Sequence, residues 1–183
     1  MIPLVRRHGA IAQGARERKT NMDSTFLKAN ELGVRLEIVG GLPIWEPQPL
    51  YIHQKAVDRI RATIVKDPLK PRNDCECVHI SDVYISFPDR SLKRPDISIF
   101  CREPEEQDKA ITLIPAAVIE VISKGYEAKD LEIGPHFYLS QGIKDVVVFD
   151  PYTLFVLHVR KDGASRHISP MDIRLECGCL CKV

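Results

Sequence analysis

The sequence has no apolar run approaching the roughly 20 residues that a membrane-spanning helix needs. Its apolar stretches are short and interrupted by charge, and none has the apolar centre of a secretion signal. We therefore expect no membrane segment and interpret the protein as cytoplasmic. The 183 residues, 44% of them hydrophobic, fit one domain with a real core, since compact domains usually hold about 100–200 residues.

The sequence also lacks a surplus of either charge. Its 26 Lys and Arg residues oppose 25 Asp and Glu residues, which leaves a net charge of +1. This balance argues against a protein that coats DNA through a uniformly positive surface. Nucleic-acid contacts would have to be local, and the alternative is ordinary solvated surface charge. The basic candidates are Arg90, Lys93 and Arg94, and, near the N-terminus, Arg6, Arg7, Arg16, Arg18 and Lys19.

A third absence is the Cys-x-x-Cys spacing of familiar structural zinc sites, although the chain has six cysteines. Instead, Cys75 and Cys77 are one residue apart, as are Cys177, Cys179 and Cys181. On a strand this spacing places alternate thiols on one face, where cysteine packs as a small hydrophobic side chain. We expect free thiols in a reducing compartment, with a zinc site as the alternative.

The first 20 residues show no hydrophobic periodicity and carry most of their charge as arginine. We predict that residues 1–20 form a flexible basic tail outside the fold. Residues 21–183 then form a single domain.

Hydrophobic periodicity predicts an α/β (α+β) domain, with a mixed β-sheet flanked by helices. Apolar residues at helical spacing and capping signals predict helices over about 23–32, 51–65 and 137–141. β-branched and aromatic runs predict strands over 34–39, 42–45, 78–87, 97–100, 117–122, 146–149 and 154–159. The pair Gly40-Gly41 predicts a two-residue hairpin turn between the first two strands.

The most informative position is Glu120, which lies in the middle of an apolar strand between Ile119 and Val121. Burying an unpaired carboxylate costs several kcal/mol, so this one must be paired, hydrogen-bonded, bound to metal or solvated. A structural salt bridge is therefore the ordinary alternative to a functional role. Glu120 is a candidate site residue on either interpretation.

A second carboxylate, Asp96, opens the strand that begins at Ile97. By itself a Pro-Asp pair is common in turns. Adjacent strands lie about 4.8 Å apart, however, so carboxylates projecting from two of them can ligate one hard cation such as Mg²⁺. A metal held this way can polarise a phosphodiester and lower the pKa of its bound water.

These segments together resemble one known family. The motifs that carry the resemblance are Arg94-Pro95-Asp96-Ile97-Ser98-Ile99, Val118-Ile119-Glu120-Val121-Ile122-Ser123, Lys129-Asp130-Leu131 with Tyr138, and Gly142-Ile143 with Val147-Val148-Phe149-Asp150-Pro151. Upstream, Leu36-Glu37-Ile38-Val39-Gly40-Gly41 and His53 continue it. In this order they are similar to the Uma2 family of the PD-(D/E)xK nuclease superfamily, over about residues 24–180.

The resemblance implies a restriction-endonuclease-like core that cleaves DNA with Mg²⁺ or Mn²⁺. It implies that Asp96 and Glu120 are the metal carboxylates, with Glu37 as a third acidic contributor. His53 would open the long helix and approach the same cleft, although a lone histidine there is more often a surface or capping residue. A homodimer is also left open, because nucleases that cut both strands often pair.

The chain departs from the family at the catalytic lysine. In the simple form of the motif a lysine follows the glutamate by two residues, where this chain has Ile122. In many family members the lysine lies on the next helix, where this chain has Gly134. Lys124 or Lys129 could replace it and stabilise charge on the phosphate. The alternative function is a member that has lost catalysis and binds nucleic acid or protein.

Overall fold

The computed structural model describes residues 29, 31–46, 48–70, 74–106, 108–125, 131 and 133–183. The predicted tail over 1–20 and the start of the first predicted helix lie outside this part of the chain. The chain divides into two compact units, Met1–Leu36 and Glu37–Val183. In the first, Gly33 has a φ of +70°, the left-handed conformation that commonly follows a helix end.

The strands are short, with two to six residues each. Their bounds are β1 Arg35–Val39, β2 Leu42–Glu46, β3 Val65–Lys66, β4 Val78–Ile80, β5 Ile85–Ser86, β6 Leu92–Lys93, β7 Ile97–Phe100, β8 Ala117–Val121, β9 Asp145–Phe149, β10 Phe155–Arg160, β11 Gly163–Ile168, β12 Asp172–Arg174 and β13 Cys179–Lys182. The helices with described bounds are α1, Tyr51–Arg61, and α2, Gly134–Ser140. Among the described residues, no helix combines the length and apolar character that crossing a membrane requires.

The largest sheet has six strands in the order β11-β10-β9-β8-β7-β4. Strands β8 and β9 are parallel, and α2 lies between them in the chain, as a parallel pair requires a crossover connection. The other neighbours in this sheet are antiparallel. Smaller sheets have the orders β2-β1-β6-β5 and β12-β13-β3.

The central strand β8 is buried on both faces. Ile119 and Val121 belong to one apolar cluster, which also contains residues of α1 and β13. Val118 and, just after the strand, Ile122 belong to a second cluster, which contains Tyr138 of α2. This double burial explains why the segment is a continuous apolar run rather than an alternating one.

Most predicted elements are confirmed, with shifted ends. The hairpin is confirmed, since Gly40 and Gly41 both have positive φ values, +56° and +84°. The long helix ends at Arg61 rather than near residue 65, because Val65 pairs with β13 as part of β3. The predicted strand 78–87 is divided into β4 and β5, and Asp82 between them has a φ of +60°.

Strands β6, β11, β12 and β13 were not predicted. Strand β6 has two residues and β12 has three, which is too short for a periodic signal. Strand β11 is mostly exposed and polar, so it has no apolar alternation to detect. Each of these strands is fixed by pairing with a neighbour rather than by its own sequence.

The prediction that all cysteines are free thiols is wrong for two of them. Cys77 and Cys179 form a disulfide, with Cα atoms 5.9 Å apart and a sequence separation of 102. The cysteines outside the disulfide are Cys75, Cys101, Cys177 and Cys181. The fold brings the segment before β4 against β13, which spacing along the chain cannot reveal.

A buried carboxylate at the start of β9 shows how this fold accommodates charge. Arg160 Nε lies 2.5 Å and His158 Nε2 lies 2.8 Å from Asp145 Oδ1, while the Glu176 N–H donates to Oδ2 at 2.7 Å. Burial opposes ionisation of Asp145, but these hydrogen bonds outweigh it and lower the pKa of its carboxyl. The ion pair therefore stabilises the native state when Asp145 is charged.

We predict that Asp145→Asn lowers the free energy of unfolding by about 3 kcal/mol at neutral pH. That is the lower end for breaking a buried ion pair, because Arg160 is partly exposed. Since the native pKa is lowered, the stabilisation is complete above the ordinary aspartate pKa of about 4 and is lost as pH falls through the native value. Urea denaturation from neutral to acidic pH should show the gap between wild type and variant closing.

The matched control is Asp162→Asn in the exposed turn before β11. It should change stability by less than about 0.5 kcal/mol. Equal losses in the two variants would contradict a special role for Asp145.

Candidate metal-binding carboxylate site

Asp96 and Glu120 face each other across the antiparallel pair β7–β8. The register Ile97↔Ile119 places Asp96, one residue earlier, opposite Glu120. The Asp96 N–H donates to Glu120 Oε2 at 3.1 Å, and the Val121 N–H donates to Asp96 Oδ2 at 2.7 Å. Each carboxylate is thus anchored on the backbone of the other strand.

Glu120 lies on the face of β8 that carries Val118 and Ile122, which packs against α2. Asp96 lies in a bend just before β7, and its carboxylate reaches His53 of α1. Both carboxylates keep partial access to solvent; the Asp96 side chain is 18% exposed and Glu120 is half-buried. Strand register thus places the two residues opposite each other, and their convergence on one cation stays a prediction.

His53 lies on the first turn of α1, and its Nε2 is 3.1 Å from Asp96 Oδ2. Only 7% of this residue is exposed, so it is neither the surface nor the capping histidine that is the common case. The helix carries it there because Ala56, Val57 and Ile60 bury the same face of α1. His53 holds one oxygen of Asp96 in place.

Tyr138 is the residue at this site that sequence reasoning did not select. Its hydroxyl donates to Glu120 Oε1, and the side chain is fully buried. Burial, followed by the charges of Glu120 and Glu37, raises the pKa of Tyr138 well above its ordinary value, so the hydroxyl keeps its proton. Tyr138 occurred among the family motifs, but nothing in its local sequence indicated a contact with the carboxylates.

Glu37 of β1 and Lys93 of β6 form a buried ion pair, with Lys93 Nζ 2.6 Å from Glu37 Oε2. The other oxygen, Oε1, accepts the Arg94 N–H at 2.7 Å. Lys93 Nζ also lies 5.3 Å from the centre of the Tyr138 ring, which links this pair to the carboxylate site. Only 1% of Glu37 and 3% of Lys93 are exposed.

The basic residues beside the site do not form the solvated group that the sequence suggested. Lys93 is buried, and Arg94 Nε lies 2.8 Å from Asp82 Oδ1 in a half-buried ion pair. Arg90 is exposed. Of the two candidate replacement lysines, Lys124 lies in an exposed turn, whereas Lys129 lies outside the described residues. The N-terminal basic candidates also lie outside them.

The donor set at Asp96 and Glu120 fits a hard divalent cation. Among the described residues, the groups of three or more His, Cys, Asp or Glu ligand atoms that lie close together consist of cysteines. The ligands that this site offers are therefore the two carboxylates of Asp96 and Glu120. Mg²⁺ usually takes one or two protein carboxylates and fills its remaining positions with water and substrate phosphate. Asp96 and Glu120 are the residues that would hold it.

We predict that Tyr138→Phe lowers the free energy of unfolding by about 1.5–3 kcal/mol, the worth of a hydrogen bond to a charged acceptor. The ring and its packing against Phe87 and Phe137 are retained, so the loss reports on the hydroxyl. Urea denaturation at neutral pH is the measurement. Tyr152→Phe, at a half-exposed turn position, is the control and should be close to neutral. Indistinguishable variants would contradict the hydrogen bond.

The comparisons with known proteins identify the family and the fold. A sequence model of the Uma2 family, described as putative restriction endonuclease, matches residues 23–174. The crystal structure of a putative nuclease belonging to DUF820 from Anabaena variabilis is similar, with 25% identity and a TM-score of 0.59 over 80% of this chain and 84% of that one. No curated protein matches. The chain has the restriction-endonuclease-like fold and belongs to the Uma2 family.

Proposed function

We propose that this protein is a Mg²⁺-dependent endonuclease that hydrolyses phosphodiester bonds in DNA, and that Mn²⁺ can replace Mg²⁺. The observation that carries the proposal is the pair of hydrogen bonds by which the Asp96 and Glu120 carboxylates are each anchored across the β7–β8 pair. The family is one of putative restriction endonucleases and the similar crystal structure is that of a putative nuclease, so both point to the same class of reaction.

In this proposal Asp96 and Glu120 hold the metal ion. When bound, the ion would polarise the phosphodiester and supply a nucleophilic water at neutral pH. The chain's own contribution is to fix the two carboxylates before the ion arrives. His53 and the Val121 N–H orient Asp96, while Tyr138 and the Asp96 N–H orient Glu120.

Glu37 fits a supporting role better than that of a third ligand. Its oxygens are engaged by Lys93 and the Arg94 N–H. Through Arg94 it fixes the backbone two residues before Asp96, so it positions the metal carboxylate from the neighbouring sheet. We propose the same kind of role, orientation rather than proton transfer, for His53.

Three lysines are candidates for the cation that would stabilise negative charge on the phosphate. Lys129 and Lys124 follow Glu120 in the chain. Lys129 is our first choice because the sequence places it shortly before α2, and a residue near a helix start can be directed toward the sheet edge. Lys93 is a further candidate from the structure, since it joins the site through Glu37 and the ring of Tyr138. DNA is the proposed substrate, and a homodimer stays a prediction.

We predict that Glu120→Gln and Asp96→Asn abolish nicking of supercoiled plasmid in the presence of Mg²⁺, because the amide has the shape of the carboxylate without its charge. Both variants should also lose Mn²⁺ binding measured by calorimetry. Glu103→Gln, at an exposed position, is the matched control and should cleave like the wild type.

Two outcomes distinguish the alternatives. Nicking that survives in both carboxylate variants would overturn the metal assignment. A wild type that binds Mn²⁺ through Asp96 and Glu120 but cuts no DNA would instead support the member that has lost catalysis and acts as a binding module.

We predict that Lys124→Ala, Lys129→Ala reduces nicking about 10²–10³-fold, the loss expected when one charge-stabilising donor is removed from an enzyme site. Metal binding should be retained, because lysine is not a ligand. Lys161→Ala, in an exposed turn, is the control. If nicking is unchanged in the double variant but falls about 10²–10³-fold in Lys93→Met, the role passes to Lys93.

A further inference from the structure

Three cysteines that are distant in the sequence and outside the disulfide meet at one place in the fold. Cys75 lies in the segment before β4, Cys101 directly follows β7, and Cys177 lies in the turn before β13. Their sulfur atoms are all within 4.8 Å of one another. Cys75 is buried, Cys177 is half-buried and Cys101 is exposed, so the group extends from the core to the surface.

The spacing of these sulfurs suits a tetrahedral thiolate site. A Zn–S bond is about 2.3 Å long, so two sulfurs on one tetrahedral zinc ion lie about 3.8 Å apart. Sulfurs that are already within 4.8 Å need to move by at most about 1 Å each to reach that separation. Such a shift is within the range of cysteine side-chain rotation.

The group also has a route to solvent. Cys101 and Cys177 line a cavity of about 510 Å³ together with Arg102 and Lys144. An ion could enter through this cavity and keep its fourth coordination position open toward it, as zinc sites with three protein ligands do. Binding would release the three thiol protons and leave a net charge of −1. Arg102 and Lys144, which also line the cavity, are each paired with a glutamate, Glu105 and Glu176.

We propose that Cys75, Cys101 and Cys177 bind one Zn²⁺ ion as thiolates. Cys77 and Cys179 are not ligands in this site, although Cys75 is close to both, because their sulfurs are joined in the disulfide. The site differs in chemistry from Asp96 and Glu120. Soft thiolates select zinc, whereas carboxylates suit Mg²⁺ and Mn²⁺.

Zinc titration of the full-length, disulfide-intact protein tests the proposal. To remove the carboxylate site from the measurement, calorimetry is carried out in the Glu120→Gln background under anaerobic conditions. We expect one Zn²⁺ per chain, and Co²⁺ in its place should give sulfur-to-cobalt charge-transfer absorption. Cys101→Ser and Cys177→Ser should each weaken zinc binding by more than about 100-fold, since outer-shell changes alone cost about 10–100-fold.

Cys181→Ser is the matched control, because Cys181 is free but belongs to neither close group of cysteines. It should bind zinc like the parent protein. If a serine variant fails to fold, alkylation of the wild-type thiols decides instead: zinc should protect Cys101 and Cys177 together. The proposal is overturned if the protein binds no zinc, or if zinc binding survives in the double variant Cys101→Ser, Cys177→Ser. It is also overturned if both thiols are alkylated equally fast with and without zinc.

Discussion

Glu120 lies in the middle of β8, a strand that has apolar clusters on both of its faces. A carboxylate in that place is tolerated only if its charge is satisfied, since an isolated buried charge costs several kcal/mol. The Asp96 N–H and the Tyr138 hydroxyl both donate to it. The register of β7 against β8 and the docking of α2 against the sheet are therefore tied to the same side chain.

The same requirement is met at two other places in the fold. Glu37 is paired with Lys93 beneath the aromatic ring of Tyr138, and Asp145 is paired with Arg160 and His158 at the start of β9. These pairs join opposite charges, and in this they differ from Asp96 and Glu120. The latter lie opposite each other with like charge, an arrangement that destabilises neighbouring strands unless a cation is shared.

The two proposed metal sites are separated in this protein. Asp96 and Glu120 lie at the β7–β8 pair, where His53 of α1 and Tyr138 of α2 contact them, whereas Cys101 follows β7 and Cys177 precedes β13. Hard oxygen ligands and soft sulfur ligands select different ions, so the two places need not compete for one metal. The disulfide between Cys77 and Cys179 fixes the segment before β4 against β13, beside the thiol group.

The sequence by itself determined the elements whose signals are local. Three elements were predicted from local signals: β8 from its apolar run, the first hairpin from its paired glycines and α1 from its helical spacing. The position of Glu120 inside an apolar strand made it a candidate site residue. Asp96 followed from its place at a strand start. These features depend on neighbours in the chain, so periodicity and turn chemistry are sufficient to find them.

Only the tertiary structure decided which distant residues meet. Lys93 looked like surface charge because no local signal shows that Glu37 lies 2.6 Å from it across 56 residues. Tyr138 contacts Glu120 because α2 packs on the sheet face of Glu120. Cys75, Cys101 and Cys177 lie close together because three segments that are distant in the chain are neighbours in the fold. The physical reason is the same in each case. Burial and pairing depend on which strands become neighbours, and that order is set by the whole core rather than by any one segment.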